Sequence, residues 1–281
     1  MCGIFGILLN LKNHNIYKII IDSLIQLQNR GYDSTGICIL KNTTFEIHKY
    51  ASTNTMSSIE KLLSLNLNSE ENIGLGHNRW ATHGAKNDIN AHPHISNDSK
   101  FVLVHNGIIE NYLELKNFLI NNNYTFYSQT DTEVIVNLIS YYFNKTNDTF
   151  LAIKETINKL EGTYGIIIMN NLENNKLYAV RNGSPLLIGY NEDYALITSE
   201  QSGFCNMVNT YITLNNDDIC VIEKGNKITL NTTNHYIEKK VNILKHDLTP
   251  FPFKHWTLHL FSFQTPILHI FKIINCFHHF N

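Results

Sequence analysis

Beyond Gly162 the chain breaks into short, half-apolar β segments, at 164–169, 176–181, 186–189, 194–198, 219–223 and 227–230. So many strands with one oily face need cover on that face. Two sheets packed against each other, with helices outside, is the economical solution. The first half supplies those helices. Ile16, Ile20, Leu24 and Leu27 make one apolar stripe after a buried strand at 4–9, and this helix is expected to stop at Arg30-Gly31, with Gly31 as a left-handed cap. Strands are expected at 35–40 and 45–50 and a short helix at 58–65, followed by a glycine- and histidine-rich loop region at 74–94. The apolar run 101–104 reads as a central strand entering a turn at His105-Asn106-Gly107. Ile109, Tyr112, Leu115 and Leu119 mark the next helix. Another starts at Thr130, where Glu133 has capping-box spacing, and a further one lies near 150–160.

The 281 residues are 43% hydrophobic and 16% charged, the profile of a soluble globular protein with room for one large domain or two small ones. A formal net charge of −2 offers no basic field for nucleic acid or an anionic membrane surface. Cys2, Cys38, Cys205, Cys220 and Cys276 are scattered and never spaced as CxxC, which argues for a reducing, cytoplasmic compartment and against a zinc site. No basic, apolar secretory leader opens the chain. The uncharged stretch 255–271 is interrupted by His259, Gln264, Pro266 and His269, so no membrane span is expected there.

Cys2 directly follows the initiator methionine. Removal of Met1 would place a thiol, reference pKa about 8.5, and a free α-amine, about 7.7–8, on one residue. Such a residue carries a nucleophile and its own general base. The alternative is a small residue at the start of a buried strand. Arg79, within Gly76-His77-Asn78-Arg79-Trp80-Ala81-Thr82-His83-Gly84, has the planar fork that grips a carboxylate, with Thr82 and His83 as further donors. Its other reading is a structural ion pair. Asn106 and Gly107 offer neutral donors for a developing oxyanion, or else a plain Asn-Gly turn. Asp131, at a helix start, is suited to an ammonium group or simply to the helix dipole. His92-Pro93-His94 with His77, His83 and His105 has no acidic or cysteine ligand at a diagnostic spacing, so no metal is expected. No GxxxxGK[ST] or GxGxxG phosphate loop occurs.

Eight segments in order, CGIFGI at Cys2, RGYDSTG at Arg30, GHNRWATHG at Gly76, NAHPH at Asn90, HNGIIENY at His105, SQTDTEVI at Ser128, EGTYGI at Glu161 and RNGSPLLIG at Arg181, resemble the glutaminase domain of the glutamine–fructose-6-phosphate aminotransferases. These are class II glutamine amidotransferases, and the resemblance covers roughly residues 2–230. The RGYDSTG and RWATHG segments separate the chain from amidophosphoribosyltransferases and asparagine synthetases. The resemblance implies an α+β, four-layer αββα N-terminal nucleophile (Ntn) hydrolase fold, with two stacked antiparallel sheets between helical layers. It implies Cys2 as nucleophile and its amine as proton shuttle, with Asn106 and Gly107 as oxyanion hole. Arg79, Thr82 and His83 would hold the α-carboxylate of L-glutamine and Asp131 its α-ammonium, under a loop carrying Trp80. Arg30 and Asp33 would support the N-terminal strand, and His92 and His105 would be supporting rather than catalytic. No cofactor is implied.

The glutaminase domain is expected at 2–240, with a divergent tail at 241–281. The tail begins like a linker, at Phe253-Lys254-His255-Trp256-Thr257-Leu258, and then loses family likeness. The sugar isomerase half of the family is not recognised in it. A frameshift, an early stop or a misassembled reading frame is the expected cause, and a separate sugar isomerase subunit would be the partner that uses the ammonia. The competing expectations are a catalytically idle glutamine-binding module and a nonfunctional fragment.

Overall fold

The computed structural model describes residues 2–81 and 84–242. Strand β1 (Gly3–Leu9) is buried along its whole length. Its alternation divides its side chains between two cores: Ile4 and Leu8 face a second sheet, while Phe5, Ile7 and Leu9 face helix α1 (Ile16–Gln26). Strands β2 (Ser34–Lys41) and β3 (Thr44–Ala51), helix α2 (Ser58–Ser64) and strand β4 (Ile73–Arg79) complete the first half of this layer pair. Then follow β5 (His94–Ile95), β6 (Phe101–Ile109) and helices α3 (Tyr112–Asn121), α4 (Asp131–Thr146) and α5 (Thr149–Ile157). The second half contributes β7 (Gly162–Asn170), β8 (Lys176–Asn182), β9 (Leu187–Tyr190), β10 (Tyr194–Thr198), β11 (Thr210–Thr213), β12 (Ile219–Lys224), β13 (Ile228–Asn231) and β14 (Lys239–Lys240).

Among the described residues these strands form an eight-stranded sheet, β14-β11-β9-β10-β1-β4-β2-β3, and a six-stranded sheet, β13-β12-β8-β7-β6-β5. Their ladders are antiparallel. Val102, Val104, Ile167 and Met169 of the smaller sheet meet Ile4, Leu8 and Leu75 of the larger one. Phe101, Leu103, Ile166 and Ile168 pack outward on α3, α4 and α5. The order of layers is therefore α, β, β, α, as the sequence led one to expect. Truncating a fully buried residue of the inter-sheet layer, such as Ile167→Ala, costs about 2–5 kcal/mol.

Several local expectations are corrected. Gly31 has φ −178°, an extended conformation rather than a left-handed cap. It is glycine for lack of space, because a Cβ there would stand 2.7 Å from the Asn78 carbonyl oxygen. The glycine- and histidine-rich stretch is not all loop. Its first part is the central strand β4, where Gly74 and Gly76 leave room for Ile20 and Leu24 of α1. No turn forms at His105-Asn106-Gly107, since β6 runs through it to Ile109. The capping box at Thr130 does not form. Glu133 instead accepts the backbone N–H groups of Tyr127 (2.9 Å) and Ser128 (2.7 Å), fixing the approach to α4.

The chain stays tied to the domain through Val241, whose N–H donates to the Asn209 carbonyl (2.9 Å), and Asn242, whose N–H donates to Gln201 Oε1 (2.7 Å). The remainder of the tail expected at 241–281 lies outside the described residues. Among the described residues no helix is long and apolar enough to cross a membrane.

Candidate active site

Alternation along the strands decides which side chains meet. Cys2 precedes β1 on the same parity as Ile4, and Asn106 follows Val104 on β6, so both belong to the end of the inter-sheet layer. Arg79 ends β4 on the parity of Leu75 and joins them. The backbone N–H of Trp80 donates to Cys2 Sγ at 3.3 Å. The Cys2 carbonyl oxygen accepts from Asn106 Nδ2 (2.7 Å) and Arg30 Nε (3.1 Å), and the Arg30 guanidinium also pairs with Glu200 (3.2 Å). Burial pushes the Cys2 thiol up, partly offset by the Trp80 N–H and by the positive charges of Arg79 and Arg30. Beside the sulfur opens a cavity of about 320 Å³. Its lining includes Cys2, Arg30, Trp80, Asn106 and Gly107, together with Thr163 and Ser184.

Gly107 sits inside strand β6 with φ +134°, and a Cβ there would lie 1.9 Å from the Thr163 carbonyl oxygen. Only glycine fits such a position. Asn106 is 4% exposed, and its Oδ1 has no hydrogen-bond partner among the described residues. The amide is thus anchored by its nitrogen alone.

Arg79 is nearly buried, and its guanidinium donates to the Ala85 carbonyl (3.2 Å). Burial draws its pKa down, against the acidic groups of Cys2, Asp33 and Asp131 around it. Asp131 opens α4 and accepts the Ile109 N–H through Oδ2 (2.9 Å). Neither Arg79 nor Asp131 lines the cavity beside Cys2. Thr82 and His83 lie outside the described residues. Trp80 packs at 5.9 Å against Tyr32. Asp33, expected to support the N-terminal strand, holds the segment after β4. It accepts the Ala81 N–H (2.9 Å), pairs with Lys86 (3.1 Å) and donates its own N–H to the Arg79 carbonyl (3.0 Å).

His77, His92, His94 and His105 are buried together behind this site. His77 stacks on His92 at 4.0 Å, and His92 meets His94 edge-on at 4.8 Å. Desolvation keeps them neutral, with His77 pushed down to about 3. Among the described residues no three His, Cys, Asp or Glu converge as metal ligands.

Sequence reasoning missed Lys49 and Gln129. The Lys49 ammonium is clasped by the carbonyls of Ala91 (2.8 Å), Pro93 (3.1 Å) and Ile89 (3.3 Å), and burial lowers its pKa to about 8. Gln129 Oε1 accepts from Ala85 N (2.9 Å) and Asn90 Nδ2 (3.0 Å), holding the far end of the arginine segment. A lone lysine in a strand or a glutamine before a helix gives no sequence signal of such a role. The Ser184-Pro185 part of the cavity's lining was foreshadowed only by the RNGSP segment.

Residues 77–206 match the glutamine amidotransferase domain family. The chain is 42% identical over 262 residues to the probable glutamine–fructose-6-phosphate aminotransferase (isomerizing) of Acanthamoeba polyphaga mimivirus, covering 92% of this chain and 42% of that protein. Its identity to the enzyme of the same name from Buchnera aphidicola subsp. Baizongia pistaciae is 38% over 260 residues, covering 91% of this chain and 42% of that protein. The chain thus spans less than half the length of these curated relatives. Among solved structures, the glutamine phosphoribosylpyrophosphate amidotransferase of B. subtilis shares the fold, with a TM-score of 0.66 at 23% identity over 82% of this chain and 49% of that one. The stacked sheets, the helical layers and these matches together place the chain in the class II glutamine amidotransferases of N-terminal nucleophile fold, beside the amidotransferase part of the glutamine–fructose-6-phosphate aminotransferases.

Proposed function

We propose that this chain hydrolyses L-glutamine to glutamate and ammonia, with Cys2 as the N-terminal nucleophile once Met1 has been removed. The observation that carries the reading is the convergence of Trp80 N–H on Cys2 Sγ with Asn106 beside it, at the mouth of a cavity. Burial raises the thiol pKa, which favours the protonated sulfur at rest. The α-amine of Cys2 takes that proton as sulfur bonds to the side-chain carbonyl carbon of glutamine. Asn106 and Gly107 meet the oxygen that turns negative. The tetrahedral intermediate collapses, the C–N bond breaks, and the amine returns the proton to the departing ammonia. Water then hydrolyses the thioester, releasing glutamate and the thiol. Arg79, with Thr82 and His83, and Asp131 hold the two ends of the amino acid. Cys2, Cys38, Cys205 and Cys220 are all free thiols, which suits a reducing cytoplasm.

The ammonia would serve the reaction named for the relatives, amination of fructose 6-phosphate to glucosamine 6-phosphate, on a sugar isomerase partner. Glutamate release by the purified chain tests the reading, with Cys2→Ala as control and mass spectrometry of the N-terminus alongside. The processed chain should turn over glutamine while the control is inert. Equal activity in a form that keeps Met1 would remove the Cys2 amine from the mechanism.

A further inference from the structure

Thr132 is fully buried at the second position of α4, directly after Asp131. Three groups surround its hydroxyl: His105 Nδ1 at 3.0 Å, His92 Nε2 at 3.4 Å and Asp131 Oδ1 at 3.4 Å. A hydroxyl has one proton to give. The carboxylate can only accept, so a bond to Asp131 commits that proton, and both imidazoles must then donate theirs to Thr132 Oγ1. The remaining ring nitrogens fit this arrangement. His105 Nε2 and His92 Nδ1 are buried without a hydrogen bond of good geometry, and each would carry a lone pair rather than a stranded N–H. His77 follows the same pattern: its Nε2 lies 3.1 Å from the His105 carbonyl, which must accept, and its Nδ1 is unpartnered.

We propose that Thr132 is a positioning residue for glutamine binding: held by His92 and His105, it turns Asp131 Oδ1, while the Ile109 N–H fixes Oδ2. The inference deepens the glutaminase reading and rests on it, because Asp131 is the group assigned to the substrate ammonium. It gives His92 and His105 a task, which is to fix the orientation of one carboxylate through one hydroxyl. The rival arrangement turns the His105 proton toward the Thr163 carbonyl, leaving Thr132 to donate to His105 and not to Asp131.

Two measurements on the full chain decide. Long-range ¹H–¹⁵N correlation spectra report ring tautomers, and should place the proton of His105 on Nδ1 and that of His92 on Nε2; a proton on His105 Nε2 overturns the proposal. Kinetics of Thr132→Val should show KM for glutamine raised about three- to tenfold with kcat nearly unchanged, the size of one hydrogen bond. Thr132→Ser, which keeps the hydroxyl, should restore KM. An unchanged KM in Thr132→Val, a loss carried by kcat alone, or failure of Thr132→Ser to rescue a folded protein overturns the proposal. If the parent chain binds no glutamine by calorimetry in the Cys2→Ala background, the glutaminase reading falls and takes this inference with it. Binding by that parent with no loss on adding Thr132→Val sinks the inference alone.

Discussion

The side-chain amide of Asn106 donates to the main-chain carbonyl of Cys2 across 2.7 Å, so the donor assigned to the reacting oxygen is tied at rest to the residue that carries the nucleophile. Strand β6 and the start of β1 belong to different sheets, and this bond joins them at the point where chemistry is proposed. It presets the amide beside Cys2 before substrate arrives. Preset donors cost no reorganisation during the reaction, which is where their advantage over water lies.

Asn106→Ala should therefore lower kcat for glutamine hydrolysis by about 100–1000-fold while KM moves far less. Steady-state glutamate release gives both numbers. Equal losses in binding and turnover would place Asn106 in substrate holding, not in oxyanion stabilisation.

Gly107→Ala attacks the backbone instead. The new Cβ would stand 1.9 Å from the Thr163 carbonyl oxygen, at φ +134°, so β6 and β7 must part locally. Strain of this kind costs about 1–3 kcal/mol or more and should appear as a lower melting temperature. Gly165→Ala on the neighbouring strand is the control, since its Cβ would meet nothing closer than 3.4 Å. Similar melting of the two variants would show that Gly107 is not constrained by space.

The buried histidines give the fold a one-sided pH dependence. His77 has its pKa pushed down to about 3 by burial, and that of His92 and His94 is also lowered. Well above the unfolded pKa of about 6.5 neither folded nor unfolded histidines bind protons, so their contribution to stability is constant. As pH falls below that, the unfolded chain takes up protons that the folded chain refuses. Stability then drops, by about 1.4 kcal/mol per pH unit for each histidine that stays neutral, until the folded pKa is reached. Urea unfolding between pH 7 and 4 should show this decline, with a shallower slope in His77→Gln. A slope unchanged by that substitution would mean that His77 titrates normally in the folded chain.

Two packed sheets with helices outside were legible because half-apolar strands and striped helices state which faces need cover, whereas the four-layer N-terminal nucleophile arrangement was an expectation from the resemblance. Cys2, Arg79, Asn106 and Asp131 each had a structural reading beside the chemical one, and only the eight family-like segments in order singled them out as a proposed site. Strand β4 was not legible, since Gly74 and Gly76 carry no apolar side chain to mark a strand, and the reason for them lies in Ile20 and Leu24 of α1. The continuation of β6 through Asn106-Gly107 was hidden for a related reason. That dipeptide is a strong local turn signal, and only pairing with Tyr164 and Gly165 on β7 overrides it. The carbonyl clasp of Lys49 depends on backbone oxygens, which sequence does not display.

Arg30 joins three parts of the chain that are far apart in sequence. Its Nε donates to the Cys2 carbonyl at 3.1 Å and its guanidinium pairs with Glu200 at 3.2 Å, with only 12% of its side chain exposed. Planarity lets one group serve both partners in fixed directions, and a lysine ammonium has no such fork. Arg30→Lys should therefore keep the charge yet loosen the first residue, lowering kcat on the order of tenfold, as expected for about one charge-assisted hydrogen bond. Glu200→Gln removes the ion pair but leaves an acceptor for the guanidinium, so its effect on kcat should be smaller. Pre-steady-state release of the first ammonia, measured for both variants, isolates the step in which Cys2 attacks. If Arg30→Lys forms the thioester as fast as the parent, Arg30 stabilises the fold without placing the nucleophile.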